Sequence, residues 1–316
     1  MDDLHQRAGC AYATKTKVND GGGGLAARAA VCWCDSPSTN LKARGLSMYA
    51  RILVPLDGAK FSEEVLPHAA GLARVHGTTL TLLRIVEKES DGPDAEAYVK
   101  ALAERLSAQA LCVVARADVA DVIVEEAGRV PKTLVTMTSH GRTGLMEAML
   151  GSVALRVVRN SGAPVLVYRP RGADAPDRAP VKVTQIVLPL DGTPTSEAMA
   201  PHAAEFAKWL DAELVVVSVS DFTAGAKAGF PQGDVMDSSY VRGRAKDFAG
   251  KYGVRVSWEA LHGEPAEAIV QFVDGRPGAI LAMTTRGHQA IKTAFLGSVT
   301  AGCLRKAGVP VLARMP

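Results

Sequence analysis

The sequence of 316 residues has almost no excess of charge of either sign. Lys and Arg total 36, and Asp and Glu total 33, so the formal net charge is only +3. A field this weak does not attract nucleic acid or an anionic membrane surface without specific contacts. We therefore predict no nucleic-acid partner and no membrane partner, and we expect any bound anion to be held by a local arrangement of groups.

Long apolar runs and paired cysteines are also missing. No stretch approaches the ~18 apolar residues of a membrane helix, and the residues after Met1 lack the basic flank and apolar run of a signal peptide. The five cysteines are an odd number and lie scattered along the chain. Cysteines in this number and arrangement do not indicate a disulfide scaffold and are typical of a protein in a reducing compartment. We therefore expect a cytoplasmic protein.

The first 47 residues differ from the rest of the chain. They include four consecutive glycines at 21–24 and show no sustained period of a strand or a helix. We expect residues 1–47 to be disordered, or to precede a true translation start at Met48. Cys32 and Cys34 have poor spacing for zinc and no second pair of ligands, so we assign no metal site.

From Arg51 onward, short apolar runs alternate with segments of helical period. Such alternation requires parallel strands joined by right-handed helical crossovers. The first half predicts strands at 52–56, 80–86, 111–115, 133–138 and 164–168, and helices at 62–76, 94–108, 117–128 and 153–160. This order predicts a complete doubly wound α/β domain.

The second half of the chain repeats the first. Pro55-Leu56-Asp57-Gly58 recurs at 189–192, and Gly151-Ser152-Val153 recurs at 297–299. Motifs that recur in the same order indicate a duplication, and we call the two halves copy one and copy two. Copy two contains about twelve extra residues, which fall around 221–239. They are predicted to form a loop that is long enough to act as a lid, and the alternative, which is the commoner outcome, is an ordinary solvated loop.

The duplication divides the chain into two tandem domains. We place the domain of copy one at 48–170 and that of copy two at 184–316. Residues 171–183 join them, and the stretch 171–180 is rich in Pro, Asp, Arg and Ala. That composition is typical of a short exposed linker.

Both copies carry a glycine-containing loop between the fourth strand and the last helix. In copy one, nine residues separate Gly141 from Gly151-Ser152-Val153, and in copy two nine residues separate Gly287 from Gly297-Ser298-Val299. Unpaired amides at a helix start, with the positive end of the helix dipole, form a cradle for phosphate. The alternative is that Ser152 and Ser298 are N-caps and the glycines only form turns.

Asp57 and Asp191 follow the first strand of each copy. Open α/β sheets bind ligands at the carboxyl ends of strands where the strand order reverses. A carboxylate there accepts hydrogen bonds from a ribose hydroxyl or an adenine amino group. The alternative is that each Asp only stabilises the Asp-Gly turn before the following helix.

Taken together, these motifs resemble the universal stress protein family in two tandem domains over residues 48–316. The resemblance rests on 49–58, on the loop ending at Gly151-Ser152-Val153 and on 163–167, and copy two carries the same set. It implies a five-stranded parallel sheet of order 3-2-1-4-5 in each copy. In the nucleotide-binding branch, it also implies ATP, with or without Mg²⁺, held by a loop of the form Gly-x2-Gly-x9-Gly-Ser/Thr.

One position departs from that family loop. Thr138 and Thr284 stand where the first glycine is expected, and a Cβ there narrows the approach to phosphate. The resemblance also implies that Ile85 and Val219, on the second strands, line the adenine beside the two aspartates. The alternative is that Ile85 and Val219 are simply core residues of buried strands.

No catalytic residue is assigned. His68 and His202 lie among alanines in the first helices, and no Ser or Cys nucleophile lies in a matching motif. We expect an ATP-binding protein with a regulatory or stress-response role and slow or no hydrolysis. The alternative is an interaction module of the same fold that binds no nucleotide. An adenylating enzyme would carry a different loop after the first strand.

The apolar final strands of the two copies predict how the domains assemble. An unprotected edge strand recruits another strand. The resemblance implies that such strands pair between two domains about a two-fold axis. We therefore expect an intramolecular pseudo-dimer of the two copies, for which a further homodimer is optional.

Overall fold

The computed structural model describes residues 48–139, 150–170, 179–220, 233–285 and 296–316. Residues 1–47 and most of the predicted insertion in copy two lie outside these ranges. The strands of copy one are β1 (Arg51–Leu56), β2 (Thr79–Val86), β3 (Gln109–Val114), β4 (Thr133–Thr138) and β5 (Val165–Tyr168). Those of copy two are β6 (Gln185–Pro189), β7 (Glu213–Ser220), β8 (Val256–His262), β9 (Ala279–Thr284) and β10 (Val311–Arg314).

Helices connect the strands in both copies. Copy one has α1 (Lys60–Glu63), α2 (Leu66–Ala73), α3 (Gly92–Leu106), α4 (Val119–Arg129) and α5 (Ser152–Asn160). Copy two has α6 (Pro194–Glu197), α7 (Ala200–Leu210), α8 (Gly233–Tyr252), α9 (Pro265–Val273) and α10 (Ser298–Lys306). Within the described part of the chain, no helix has the length and apolar content needed to cross a membrane.

The strands form one continuous sheet in the order β3-β2-β1-β4-β5-β10-β9-β6-β7-β8. Within each copy the strands are parallel, as the sequence pattern predicted, and follow the order 3-2-1-4-5 that the family resemblance implied. The two halves meet at β5 and β10, which pair antiparallel with Leu166 opposite Leu312. The final strands therefore pair with each other, as expected for the two copies of one chain.

Two elements differ from their sequence-based predictions. The helix expected at 62–76 is two helices, α1 and α2, because the chain turns before Pro67, which occupies the first turn of α2. In the predicted insertion, residues 233–239 belong to α8 rather than to a loop. The periodicity of apolar residues does not reveal the break between α1 and α2. Pro67 could have indicated it, because Pro is tolerated in the first turn of a helix but not in its interior.

The sheet lies between two helical layers that run across both copies. One layer contains α2, α3, α7 and α8, and the other contains α4, α5, α9 and α10. Because both faces are covered, the central strands contain continuous apolar runs, as in the fully buried run Ile52–Val54 of β1. Each layer packs as one cluster that includes residues of both copies, so the halves share their core.

Reciprocal contacts hold the two copies together above the β5–β10 pair. Tyr49, just before β1, contacts the rings of Phe206 and Trp209 on α7 at centroid distances of 6.0 and 5.6 Å. Conversely, Val181, just before β6, donates its backbone N–H to the carbonyl oxygen of Pro67 on α2 at 2.9 Å. The segment before the first strand of each copy thus packs on a helix of the other copy.

The second of these contacts depends on Gly71. A Cβ at this position would lie 2.0 Å from the carbonyl oxygen of Val181, which is closer than atoms can approach. Nearby Val183 is buried in the shared core. The end of the segment expected as a linker is therefore packed against α2.

We expect Gly71→Ala to lower the free energy of unfolding by about 1–3 kcal/mol, the usual cost of overpacking. Gly128→Ala is the matched control, because Gly128 is also helical and has open space where its Cβ would lie. Helix propensity alone favours Ala in both places by up to about 1 kcal/mol. Denaturant unfolding measures both variants, and equal stability changes would show that the Gly71 contact does not hold the copies together.

Candidate functional site

A cavity of about 360 Å³ opens at the carboxyl ends of β1, β2 and β4, next to the start of α5. Its size lies within the ~300–1,000 Å³ of small-molecule sites. The apolar residues that line it are Pro55, Leu56, Leu83, Ile85, Val119, Ile123, Met137, Val153 and Ala154. The polar residues that line it are Asp57, Ser62, Arg84, Thr138, Ser139 and Ser152.

The start of α5 presents backbone N–H groups that have no acceptor within the helix. Gly151 is the N-cap, with φ −58° and ψ 147°, and no side chain of the described residues caps the helix. The amide of Gly151 donates to the carbonyl oxygen of Ser139 at 2.7 Å, so the amides of the next three residues begin the helix without intrahelical acceptors. Residues 152–154 line the cavity. The alternative in which Ser152 is the N-cap is wrong, because Ser152 is the first helical residue.

Copy two repeats this framework. Gly297 is the N-cap of α10, with φ −64° and ψ 151°, and its amide donates to the carbonyl oxygen of Thr285 at 2.6 Å. Ser298 is likewise the first helical residue rather than a cap. Gly141 and Gly287, the other predicted loop glycines, lie outside the described residues.

Asp57 and Asp191 hold the turn that follows the first strand. Oδ1 of Asp57 accepts the amide of Ala59 at 2.9 Å, and Oδ1 of Asp191 accepts the amide of Thr193 at 3.0 Å. Gly58, between Asp57 and Ala59, has φ +82°, a conformation that favours glycine. The structural role foreseen for the Asp-Gly turn is thus present, and Asp57 also lines the cavity.

The predicted apolar residues lie at equivalent positions of the two copies. Ile85, near the end of β2, is buried and lines the cavity. Val219, near the end of β7, is half-buried and packs against the same layer of the core as α9 and α10. Val153 and Val299 follow the first residue of α5 and α10, respectively, and both pack against that layer.

The predicted residues of copy one that the structure describes, Asp57, Ile85, Gly151, Ser152 and Val153, therefore lie around one cavity. The described ones of copy two occupy the corresponding places of the repeated fold. Sequence reasoning did not select Arg84, Ser62 or Met137, which also line the cavity. The duplication could have pointed to Ser62, because copy two has a serine, Ser196, at the equivalent position. In the structure the hydroxyl of Ser62 donates to the carbonyl oxygen of Ala59 at 2.8 Å, and that of Ser196 donates to the carbonyl oxygen of Thr193 at 3.0 Å.

Partly buried tyrosine–glutamate pairs anchor the helices beside each first strand. The hydroxyl of Tyr98 donates to Oε1 of Glu63 at 3.0 Å, and that of Tyr240 donates to Oε1 of Glu197 at 2.9 Å. Burial, and then the charge of Glu63, raise the pKa of Tyr98 above its ordinary value. Tyr98 therefore stays a neutral donor that holds α3 against α1.

The two helix histidines lie in the opposite layer from α4 and α5. The ring of His68 packs 4.5 Å from that of Tyr168. Burial, followed by the positive charge of Arg314, lowers the pKa of His202. Neither histidine is among the described residues that line the cavity.

We expect Ser152→Ala to change the free energy of unfolding by less than about 0.5 kcal/mol, since Ser152 caps nothing. The control is Asp118→Ala. Asp118 is the N-cap of α4 and its side chain accepts the amide of Ala120 at 2.9 Å. Removing such a cap costs about 1 kcal/mol. Thermal or denaturant unfolding measures both variants. If both lost a similar free energy of unfolding, Ser152 would have to cap α5.

Comparison with known proteins supports the family resemblance. The sequence pattern of the Universal stress protein family matches residues 48–169 and 182–313. A universal stress protein of Methanocaldococcus jannaschii is 32% identical over 135 residues, which cover 40% of this chain and 79% of that protein. A universal stress protein of Mycobacterium tuberculosis is 31% identical over 186 residues, and the match spans 57% of this chain and 60% of that protein's length.

Solved structures show the same architecture. The crystal structure of a universal stress protein from Archaeoglobus fulgidus covers 84% of this chain and 98% of its own, with a TM-score of 0.58 and 20% identity. A putative universal stress protein from Pseudomonas aeruginosa covers 85% of this chain and 94% of its own, with a TM-score of 0.60 and 18% identity. At these identities the similarity is one of fold.

Proposed function

Because this chain belongs to the universal stress protein family, we propose that it binds ATP at the carboxyl ends of its strands. We place one site in the cavity of copy one and a second at the equivalent position of copy two. Its role is regulatory, in a stress response, with slow or no hydrolysis. The observation that carries this proposal is the uncapped start of α5, whose residues 152–154 line the cavity.

The phosphates fit the start of α5 for an electrostatic reason. Three consecutive amides point out of the helix there, and the helix dipole adds partial positive charge. The side chain of Ser152 is not engaged as a cap and supplies a further donor. A dianionic or more highly charged group is stabilised by this arrangement without any Lys or Arg.

The rest of the cavity suits a nucleoside. Ile85, Met137 and Val119 form an apolar wall against which a planar base packs. Asp57 lies at the end of β1, and a carboxylate accepts hydrogen bonds from ribose hydroxyls. We assign Mg²⁺ to the phosphates of the nucleotide, since no group of His, Cys, Asp or Glu in the described ranges could hold a metal ion.

The threonines that replace a family glycine do not oppose this proposal. Thr138 is the last residue of β4 and is paired with Tyr168 of β5, and Thr284 is the last residue of β9 and is paired with Arg314 of β10. Neither threonine has a positive φ. The backbone at these positions is ordinary strand, so glycine is not required for its conformation.

Slow or absent hydrolysis follows from the residues that line the cavity. Among those described, Asp57 is the one carboxylate, and its Oδ1 is held by the amide of Ala59. A general base must reach the attacking water with a free acceptor of suitable pKa. A binding role is therefore favoured over a catalytic one.

The decisive test is the double variant Gly151→Val and Gly297→Val, which we expect to weaken ATP binding at least about tenfold. The backbone angles of both glycines suit any residue, so valine adds only side-chain bulk beside the phosphates. Each displaced charge-assisted hydrogen bond costs ~1.5–3 kcal/mol. Isothermal titration calorimetry measures the affinity, with Gly128→Val as a control on an exposed helix surface.

Two results would contradict the proposal, one its function and the other its site. One is an unmodified protein that releases no adenine nucleotide on denaturation, by mass spectrometry, and shows no ATP binding by calorimetry. The other is a double variant that binds ATP as tightly as the parent. The first result would leave the interaction module as the function, and the second would place the site elsewhere.

A further inference from the structure

The two copies differ in charge at one position of the proposed site. Arg84 lines the cavity of copy one, whereas the equivalent residue of copy two is Ser218. Arg84 lies on β2 and Ser218 lies on β7, the second strand of each copy. Each directly precedes the residue that we place against the base, which is Ile85 in copy one and Val219 in copy two. This difference bears on which base each copy accepts.

The side chain of Arg84 reaches a backbone acceptor at the end of β2. Its Nη1 donates to the carbonyl oxygen of Ile85 at 2.8 Å. The next carbonyl, that of Val86, points toward β3 and accepts the amide of Ala115 at 2.9 Å. Because backbone groups alternate in direction along a strand, the carbonyl of Ile85 points the other way, toward β1.

The strand β1 ends before it can pair with this carbonyl. Leu56, its last residue, lies opposite Arg84 in the register of the two strands. The carbonyl of Ile85 therefore projects past the end of β1, at the side of the cavity formed by Ile85 and Asp57. In copy one this acceptor is covered by a guanidinium group.

Adenine and guanine differ at the edge that would meet this carbonyl. Adenine presents an amino donor at position 6, and guanine presents a carbonyl acceptor there. A bare backbone carbonyl selects the amino group. A guanidinium placed over it supplies N–H donors, which suit a carbonyl acceptor instead. Ser218 has a short neutral side chain and carries no such charge.

We propose that Arg84 is a specificity-determining residue that lowers the preference of copy one for adenine over guanine. Copy two, with Ser218, keeps the stronger preference for adenine. This inference rests on the proposed nucleotide site and refines it. The chain then carries two sites of different base selectivity, so that its occupancy responds to guanine as well as adenine nucleotides.

The test compares ATP and GTP on the full chain carrying Gly297→Val, which removes the contribution of copy two. Calorimetry gives both dissociation constants with Arg84 intact and after Arg84→Ser or Arg84→Gln. We expect the ratio Kd(GTP)/Kd(ATP) to rise about tenfold in both variants, the effect of losing one charge-assisted hydrogen bond. Arg74→Ser is the control, because it removes an exposed arginine at the end of α2 and leaves the ratio unchanged.

The ratio separates this role from a structural one. Arg84 also lies near Tyr98 and Cys112, where burial raises the pKa of both groups and the positive charge of Arg84 offsets part of that rise. A purely structural arginine would alter the affinities for ATP and GTP together and leave their ratio fixed, and that result would overturn the inference while the nucleotide site stands. The inference also predicts a weak preference for ATP when Arg84 is present. If the protein with Arg84 intact bound ATP about 10⁴-fold more tightly than GTP, as sites that read one polar group of the ligand do, the inference would be overturned. Binding of neither nucleotide by the unmodified chain would reject the proposed function itself.

Discussion

The antiparallel pairing of β5 with β10 is the interaction on which the rest of the structure depends. Each strand ends a parallel sheet and would otherwise expose a row of unpaired N–H and C=O groups. Pairing turns two five-stranded sheets into one sheet of ten strands with a common core on each face. It also connects the candidate sites to the junction, because Ser139 donates its amide to Tyr168 of β5 and Thr285 donates its amide to Arg314 of β10, both at 2.8 Å.

The repeat is equivalent in topology, but the two halves have diverged where they meet. Tyr49 packs against Phe206 and Trp209, whereas the reciprocal contact uses the backbone of Val181 against α2 at Gly71. One of the two contacts is thus a cluster of aromatic side chains, and the other is a close approach of two backbone segments. With both copies on one chain, each half could change separately. The replacement of Arg84 by Ser218 shows the same divergence inside the sites.

Much of this architecture could be predicted from the sequence. The alternation of apolar and helical segments predicted parallel strands joined by helices, and the family resemblance implied their order. Motifs recurring 134 residues apart, such as Asp57 and Asp191, predicted the duplication. The sequence could not show whether Gly151 or Ser152 caps α5, because both residue types are favoured at that position. Nor could it show the contact of Gly71 with Val181 or the bond from Arg84 to Ile85. These depend on the final placement of the chain, which no local pattern encodes.

Amide hydrogen exchange in the presence and absence of ATP tests most directly whether the uncapped helix starts hold phosphate. Exchange requires an amide to lose its acceptor, so a bound phosphate slows it at those positions. We expect saturating ATP to slow exchange at residues 152–154 of copy one, with Val99 and Leu102 of α3, which do not line the cavity, unaffected. ATP that binds with unchanged exchange at 152–154 and at 298–300, or with protection confined to α7 and α8, would contradict binding at the helix starts.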